Sequence, residues 1–570
     1  MQMRKGGSGG RAGQSKAVRK KQGLDKTKII IAVLFCFIII NAMYYAFTHV
    51  EGVSEYGDDP TYTNLAGALL QGNFKISPGY IFSLRLTEVF AIGFFYKIFG
   101  ISDFTSTLWN ITAYIGIIIV TFLVVRLFYD NKAALLSAFL VSVFPLVTKF
   151  AVNIGEDIPL TFLTSLAMLL FLYGERKDKR VYYFSSGVVL VLSWLTSYEA
   201  GIFIVFIFVY ALIEVLRRRI RINATSLHFL FGIAMMFAIV FAYSYANSGA
   251  AFTTVTANTR FYSAVGQSIN GESTIPSTNT DLSFYINAMF QYQFISTFEH
   301  SPSILQSLQF ISNELFGTVL NYEYGLYFYL VIPIAVLLLI FREKRAYFLM
   351  FWLAFLWLGL EAGPMHVGLT LSPLGINYLF AYRLTRFMLI VSVPLAGVIG
   401  IGLAKLLEPK NKVLLVIGAI VVVLILGVLY LNNYYISRFW YYWQHYPNSL
   451  IMQATTYLRG VNQSAGIYLE AYYNNAYVGY SEGPISTLLG EPGENRVDYN
   501  IAPGTNCTTF ANYSYVIWAG PPHCSDWVNV LNITTPSDIP SYVIQSESPA
   551  LGYIVTNVYY VSPPDIHRKS

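Results

Sequence analysis

The sequence predicts an α-helical polytopic membrane protein. It would have about 11 transmembrane helices, interfacial helices in its first outer loop, and a small C-terminal extracytoplasmic domain, α/β or mainly β. Three observations predict this. Of 570 residues, 55% are hydrophobic and only 12% charged, about half the charged fraction of a soluble domain. Apolar runs long enough to cross a bilayer recur from residue 29 to residue 432. Beyond 432 the composition changes to Tyr, Asn, Pro and Gly, with short β-like runs.

Residues 1–28 form a basic tail with nine Lys/Arg and one acid, Asp25. Beside a membrane span such a tail anchors the cytoplasmic side and meets anionic lipid. Nucleic acid is not the expected partner. The run 29–48 has no small-residue cleavage site after it and reads as a retained span. Cys36 lies within it and reads as a small packing residue.

The remaining spans are expected near 108–128, 133–150, 158–174, 182–197, 200–216, 227–247, 326–341, 346–361, 384–405 and 412–432. The stretch 81–99 is the difficult one. Arg85 and Glu88 stand at i, i+3 within an apolar run, and Lys97 follows. A helix of that kind is expected to lie in the interface rather than to cross. With 81–99 on the surface, Arg126/Lys132, Arg176–Arg180, Arg217–Arg221, Arg342–Arg345 and Lys405–Lys412 all share the side of the basic tail. If 81–99 crossed, every one of these loops would change side. The positive-inside rule therefore favours the surface position.

That topology puts the first outer loop, 49–107, and the long loop, 248–325, outside, with 362–383 and the domain 433–570. The protein is expected in the plasma membrane with a cytoplasmic N-terminus. β-Like runs fall at 466–473, 513–518, 541–545 and 553–561, with some helix near 451–458. Four Asn-x-Ser/Thr sequons, at Asn462, Asn506, Asn512 and Asn532, fit an outside domain. Cys507 and Cys524 would be able to pair there.

Two acidic pairs then face the same compartment: Asp58-Asp59, before Pro60, and Glu156-Asp157, before Pro159. Each has a plain alternative reading as a solvated helix N-terminus, where acids favour the dipole. Together they read as one site at the membrane surface. Glu199, His300 and His366 are on the same side as accessory candidates. Asp59, Glu156 and Asp157 are the oxygen donors that a divalent cation, magnesium or manganese, would take. The sequence leaves the need for a cation open. No Walker-type phosphate loop is present, which excludes an ATP-driven pump of that type.

As a string, residues 58–174 follow a known order. An acidic doublet precedes Tyr62 and a helix ending at Gly72. Pro78-Gly79 and an amphipathic helix ending Lys97-Ile98-Phe99-Gly100 follow, then Arg126, Pro145 and Glu156-Asp157-Ile158-Pro159. This resembles the C-type membrane glycosyltransferases that use lipid-phosphate sugars, notably the protein O-mannosyltransferase and aminoarabinose-transferase group. The similarity is best over about 50–200 and weaker at Tyr382-Arg383-Leu384-Thr385-Arg386. The resemblance implies that Asp58 is the catalytic base, that Asp59 and Asp157 belong to the catalytic set, and that Arg383 or Arg386 meets the lipid phosphate. Asp59 departs from the Glu often found at its position. The tail lacks a Trp-Trp-Asp-Tyr-Gly motif, which argues against an oligosaccharyltransferase catalytic subunit.

The expected reaction is transfer of a sugar from a polyprenyl- or dolichyl-phosphate donor to an acceptor hydroxyl of a glycan, lipid or protein, with inversion. The competing readings are a flippase or transporter of lipid-linked sugars, a glycan polymerase or ligase, and an oligosaccharyltransferase-like enzyme. Transport pathways are marked by charges inside spans, and these spans are nearly free of them.

Overall fold

The computed structural model describes residues 26–50, 59–77, 81–217, 223–251, 253, 326–362, 364–370, 375–380 and 385–459, and short strands between 467 and 561. The membrane part is helical, as hydrocarbon requires of a backbone that must satisfy its own hydrogen bonds. Six helices among the described residues are long and apolar enough to cross a bilayer, or seven with one bent pair.

Helix α1 is Lys26–Thr48. Cys36 is exposed on it, so it is not the packing residue expected from its apolar context. Helix α2, Asp59–Leu70, and helix α3, Leu86–Phe99, follow in the first loop, with a 3₁₀ turn at Ile81–Leu84 between them. Fourteen residues of α-helix reach about 21 Å, short of the ~30 Å hydrocarbon core. α3 is therefore too short to cross upright. Its faces, however, are the reverse of a surface helix. Glu88 is fully buried and Arg85 nearly so, while Phe90, Phe94, Ile98 and Phe99 are exposed. The charges point into the protein and the apolar rings point outward. Val89, Ile92 and Tyr96 pack with Tyr62 and Ala66 of α2 and with Val191, Leu195 and Val240 from later helices.

Helix α4, Asp103–Phe128, opens with a capping box between Ser102 and Thr105. The expected span 133–150 is instead two helices, α5 Asn131–Ser142 and α6 Pro145–Ala151, bent by 58°. Pro145 has no N–H to continue the ladder and starts the new helix at its first position. α7, Asp157–Lys177, α8, Arg180–Trp194, α9, Ala200–Leu216, and α10, His228–Ser248, complete this half. α8 and α10 approach closely at two glycines. A Cβ on Gly187 would lie 2.2 Å from the Phe229 carbonyl oxygen, and one on Gly232 would lie 2.3 Å from that of Phe184. Small residues let membrane helices meet backbone to backbone.

After the long loop come α11, Tyr327–Ile340, and α12, Tyr347–Ala362. An antiparallel pair of strands follows, β1 Pro364–Thr370 and β2 Gly375–Phe380. The expected helix 384–405 begins as a 3₁₀ segment, Thr385–Val391, and becomes α13 only at Ser392–Lys405. The last span does not stop at 432. α14 runs from Lys412 to Arg459 without a break, about 72 Å at helical rise, so the expected helix near 451–458 is its end. Past it, β3 Ile467–Leu469, β4 Val497–Asp498, β5 Tyr515–Trp518, β6 Trp527–Asn532 and β7 Asn557–Val561 form a sheet in the order β4-β3-β5-β7-β6. β3 is parallel to β4 and β5, whereas β7 is antiparallel to β5 and β6. Three of the expected strands are found; 541–545, Cys507 and Cys524 lie outside the described residues.

Candidate active site

Five segments bring a charged residue to one end of the bundle, each at or just before a helix start. Asp59 begins α2, Arg85 precedes α3, Glu156 and Asp157 open α7, Glu199 precedes α9, and Arg386 lies in the 3₁₀ segment before α13. Helix N-termini carry unsatisfied N–H groups and a partial positive charge. An end of the bundle built from them favours anions.

The centre of this group is a buried triad. Tyr62 donates its hydroxyl to Glu156 Oε2 at 2.6 Å and accepts from Arg85 Nη1 at 2.7 Å. Arg85 also forms an ion pair with Glu156 Oε1. Tyr62 is 0% and Glu156 1% exposed. Glu156 is therefore not a solvated helix cap. It sits at the N-cap position of α7 but makes no side-chain cap bond; both its oxygens serve the triad. Asp157, also expected as a candidate N-terminal acid, is buried as well. The loop before it is fixed by Asn110 of α4, whose side-chain amide donates to the Gly155 carbonyl at 2.9 Å.

Glu88 lies one turn into α3. Its Oε2 accepts from the Trp109 indole N–H at 3.0 Å, and its Oε1 has no hydrogen-bond partner among the described residues. Burial pushes the Glu88 carboxyl well above the usual range. Trp109 and Arg85 oppose this, and Asp157 and Asp59 add to it. Glu199 behaves similarly at the turn between α8 and α9. Burial and Asp157 push its carboxyl up to about 8, with Arg386 and Arg85 acting the other way. Arg85 and Asp157 act on both acids; Asp59 acts on Glu88 and Arg386 on Glu199.

Of the residues singled out in the sequence, Asp59, Glu156, Asp157, Glu199 and Arg386 thus meet. Asp58, Arg383 and His300 lie outside the described residues. His366 stands in β1 opposite Leu379, and its side chain is not described. Sequence reasoning missed the part played by Arg85, Glu88 and Trp109. The signal was present: two charges at i, i+3 in an otherwise apolar helix demand either water or a buried partner.

A divalent cation would need several oxygen ligands. Among the described residues no three His, Cys, Asp or Glu side chains are placed to hold one, and Glu156 is already engaged by Arg85 and Tyr62. The described acids do not by themselves fit a metal centre.

Residues 87–245 match the model of a family described as dolichyl-phosphate-mannose-protein mannosyltransferase. Comparison with curated proteins gave no significant match. Among solved structures, apo ArnT from Cupriavidus metallidurans is similar at a TM-score of 0.50 and 10% identity, covering 95% of this chain and 100% of that one. The same protein bound to undecaprenyl phosphate is similar at a TM-score of 0.47 and 10% identity, covering 95% of this chain and 100% of that one. An oligosaccharyltransferase from Archaeoglobus fulgidus, in complex with Zn and sulfate, is similar at 0.47 and 14% identity, covering 84% of this chain and 67% of that one. At such identities the ArnT likeness at 0.50 concerns the fold. The resemblance of residues 58–174 to C-type glycosyltransferases is borne out by the family match, which starts inside that stretch and runs past it.

Proposed function

We propose that this membrane glycosyltransferase moves a sugar from a polyprenyl- or dolichyl-phosphate donor to an acceptor hydroxyl on the extracytoplasmic face, with Asp58 as general base. The observation that carries the reading is the buried meeting of acids and arginines at the helix N-termini of α2, α3, α7 and α9. A lipid-phosphate donor suits that place. It brings its own membrane anchor, so no nucleotide-binding domain is needed, and its phosphate suits a surface of helix starts and guanidinium groups. The family matching residues 87–245 is described by such a donor.

In the proposed step the acceptor oxygen gives its proton to Asp58 and attacks the anomeric carbon. The bond from that carbon to the phosphate oxygen breaks, the lipid phosphate leaves with the electron pair, and the anomeric configuration inverts. The leaving phosphate needs positive charge rather than a proton. Arg85 is held by Glu156 and Tyr62; Arg386, with Arg383, matches the late arginine motif of the resembling enzymes and is assigned to the phosphate. An arginine stays charged and grips phosphate oxygens in a fork. A base contributes about 10²–10⁴-fold. Joint positioning of donor and acceptor contributes more. The N-terminus is assigned to the cytoplasm, the domain boundaries to residues 28/29 and 432/433, and about eleven crossings to the segment between, with the shorter helices α8, α9, α11 and α12 among them. The acceptor class stays a glycan, lipid or protein.

The test is sugar release by the full-length protein in lipid from a panel of radiolabelled polyprenyl-phosphate monosaccharides, with Asp58→Asn beside it. Turnover that falls more than about 10²-fold in a folded variant supports the assignment. Equal turnover in both overturns the role of Asp58. Donor translocation across vesicles without sugar transfer overturns the transferase reading in favour of transport.

A further inference from the structure

Glu88 has no assigned role in that reaction, yet it is the most enclosed acid at the site. It is 0% exposed. Trp109 donates to one oxygen, and the other has no hydrogen-bond partner among the described residues. The described residues give it no ion pair: Arg85, three positions earlier, is directed to Glu156 and Tyr62. The charged groups facing it are Arg85 at the start of its own helix, Asp59 from α2 and Asp157 from α7. α4 faces it with the neutral indole of Trp109. Two of the three charges are therefore negative.

A carboxylate in that position would be a buried anion without a cation of its own, beside two other anions. The penalty for such an arrangement is several kcal/mol, and a group that can avoid it keeps its proton. The protonated form also fits the geometry. Trp109 donates to one oxygen, and the other is sealed from solvent with no hydrogen-bond partner among the described residues, a place that a neutral carboxyl tolerates better than a carboxylate.

We propose that Glu88 works as an uncharged carboxylic acid, a positioning residue that holds the Trp109 indole and keeps the charge of the acidic site low enough to admit an anionic lipid phosphate. The charge balance makes the consequence concrete. With Glu88 and Glu199 protonated, Asp59, Glu156 and Asp157 against Arg85 and Arg386 leave one net negative charge in the described cluster. Ionising both would triple it at the point where a phosphate must approach Arg386. Glutamine, which is neutral, of the same length and still able to accept from Trp109, should stand in for Glu88. Alanine should not.

The inference rests on the donor reading for its consequence, but not for its protonation state, and the experiment separates the two. Infrared difference spectra at neutral pH, wild type minus Glu88→Gln, read the carbonyl stretch of a protonated carboxyl without any substrate. A band that shifts in D₂O and is missing from the variant is expected. A carboxylate band in its place overturns the proposal whatever the enzyme's substrate is. The second arm measures binding of sugar-free undecaprenyl phosphate. Glu88→Gln should bind within about threefold of wild type, while Glu88→Ala weakens binding about tenfold or more, the loss of the hydrogen bond that holds Trp109. Glu88→Gln binding as poorly as Glu88→Ala overturns the positioning role. If Glu88→Ala does not fold, the glutamine variant and the spectrum still decide. A protonated Glu88 in a protein that binds no lipid phosphate would leave the chemical state standing and overturn the donor reading alone.

Discussion

One helix, α4, touches two charged clusters of similar composition and opposite character. Near its start, Trp109 meets Glu88 in the group that includes Arg85, Tyr62 and Glu156. Just past its end, Tyr129 donates to Glu408 Oε1 at 2.7 Å, and Lys405 bridges Glu408 and Glu343 at 2.8 Å each. The two clusters are twenty residues apart along the chain, about 30 Å by helical rise. At the first, the paired side chains are 10% and 2% exposed. At the second, Lys405 is 33% and Glu408 42% exposed. Each acid of the second cluster has a basic partner. Lys405 and Tyr129 draw the Glu408 carboxyl below its usual range, against the opposing effect of burial. The first cluster has more acids than bases, and burial raises Glu88 and Glu199. The lesson is that composition does not separate a solvated, charge-balanced ion network from an enclosed, unbalanced one. Burial and charge imbalance do.

The largest effect should come from breaking the buried pair. Arg85→Ala leaves Glu156 charged and enclosed, and is expected to destabilise the protein by about 3–5 kcal/mol, seen as a lower thermal midpoint in detergent. If the loss is no greater than for Lys405→Ala, the contrast between the clusters fails. Trp109→Phe removes the donor to Glu88 together with one ring of the indole. It should destabilise by about 1–3 kcal/mol. Lys405→Ala should cost less than about 1 kcal/mol, with an effect that shrinks in high salt; an effect independent of salt would show that this end is drier than its exposure implies.

The finest test is a pH dependence. Burial and Asp157 push the Glu199 carboxyl up to about 8 in the folded protein, while an unfolded glutamate lies near 4.3. Between those values the native state holds one more proton than the unfolded state. That contribution to stability is therefore full below the unfolded value and declines as pH rises toward about 8. Glu199→Gln should flatten this decline. An unchanged slope between pH 5 and 8 would show that Glu199 is already ionised in the native state.

Much of the architecture was legible because bilayers impose simple rules. Apolar length located most of the helices. The order of acidic doublet, Pro-Gly, amphipathic helix and Glu-Asp-hydrophobic-Pro gave the enzyme class. Other features were not legible. Pro145 was visible, but the bend between α5 and α6 depends on how the two helices pack. The continuation of α14 past 432 depends on helix propagation outlasting the apolar run. The orientation of α3 was not legible, because an amphipathic pattern fixes two unlike faces, not which one meets the protein. Arg85 and Glu88 face inward because Glu156, Tyr62 and Trp109 wait there.

The sequence by itself determined a helical membrane protein whose motif order resembles the C-type glycosyltransferases, since hydropathy, charge bias and motif order are local and additive along the chain. Only the tertiary structure decided that Glu156 pairs with Arg85 through Tyr62, that Asp157, Glu199 and Arg386 share one field, and that Glu88 is enclosed without a cation. Those facts depend on residues far apart in sequence and on the exclusion of water between them. The strength of a charge in a protein is set by that exclusion, not by the residue's type.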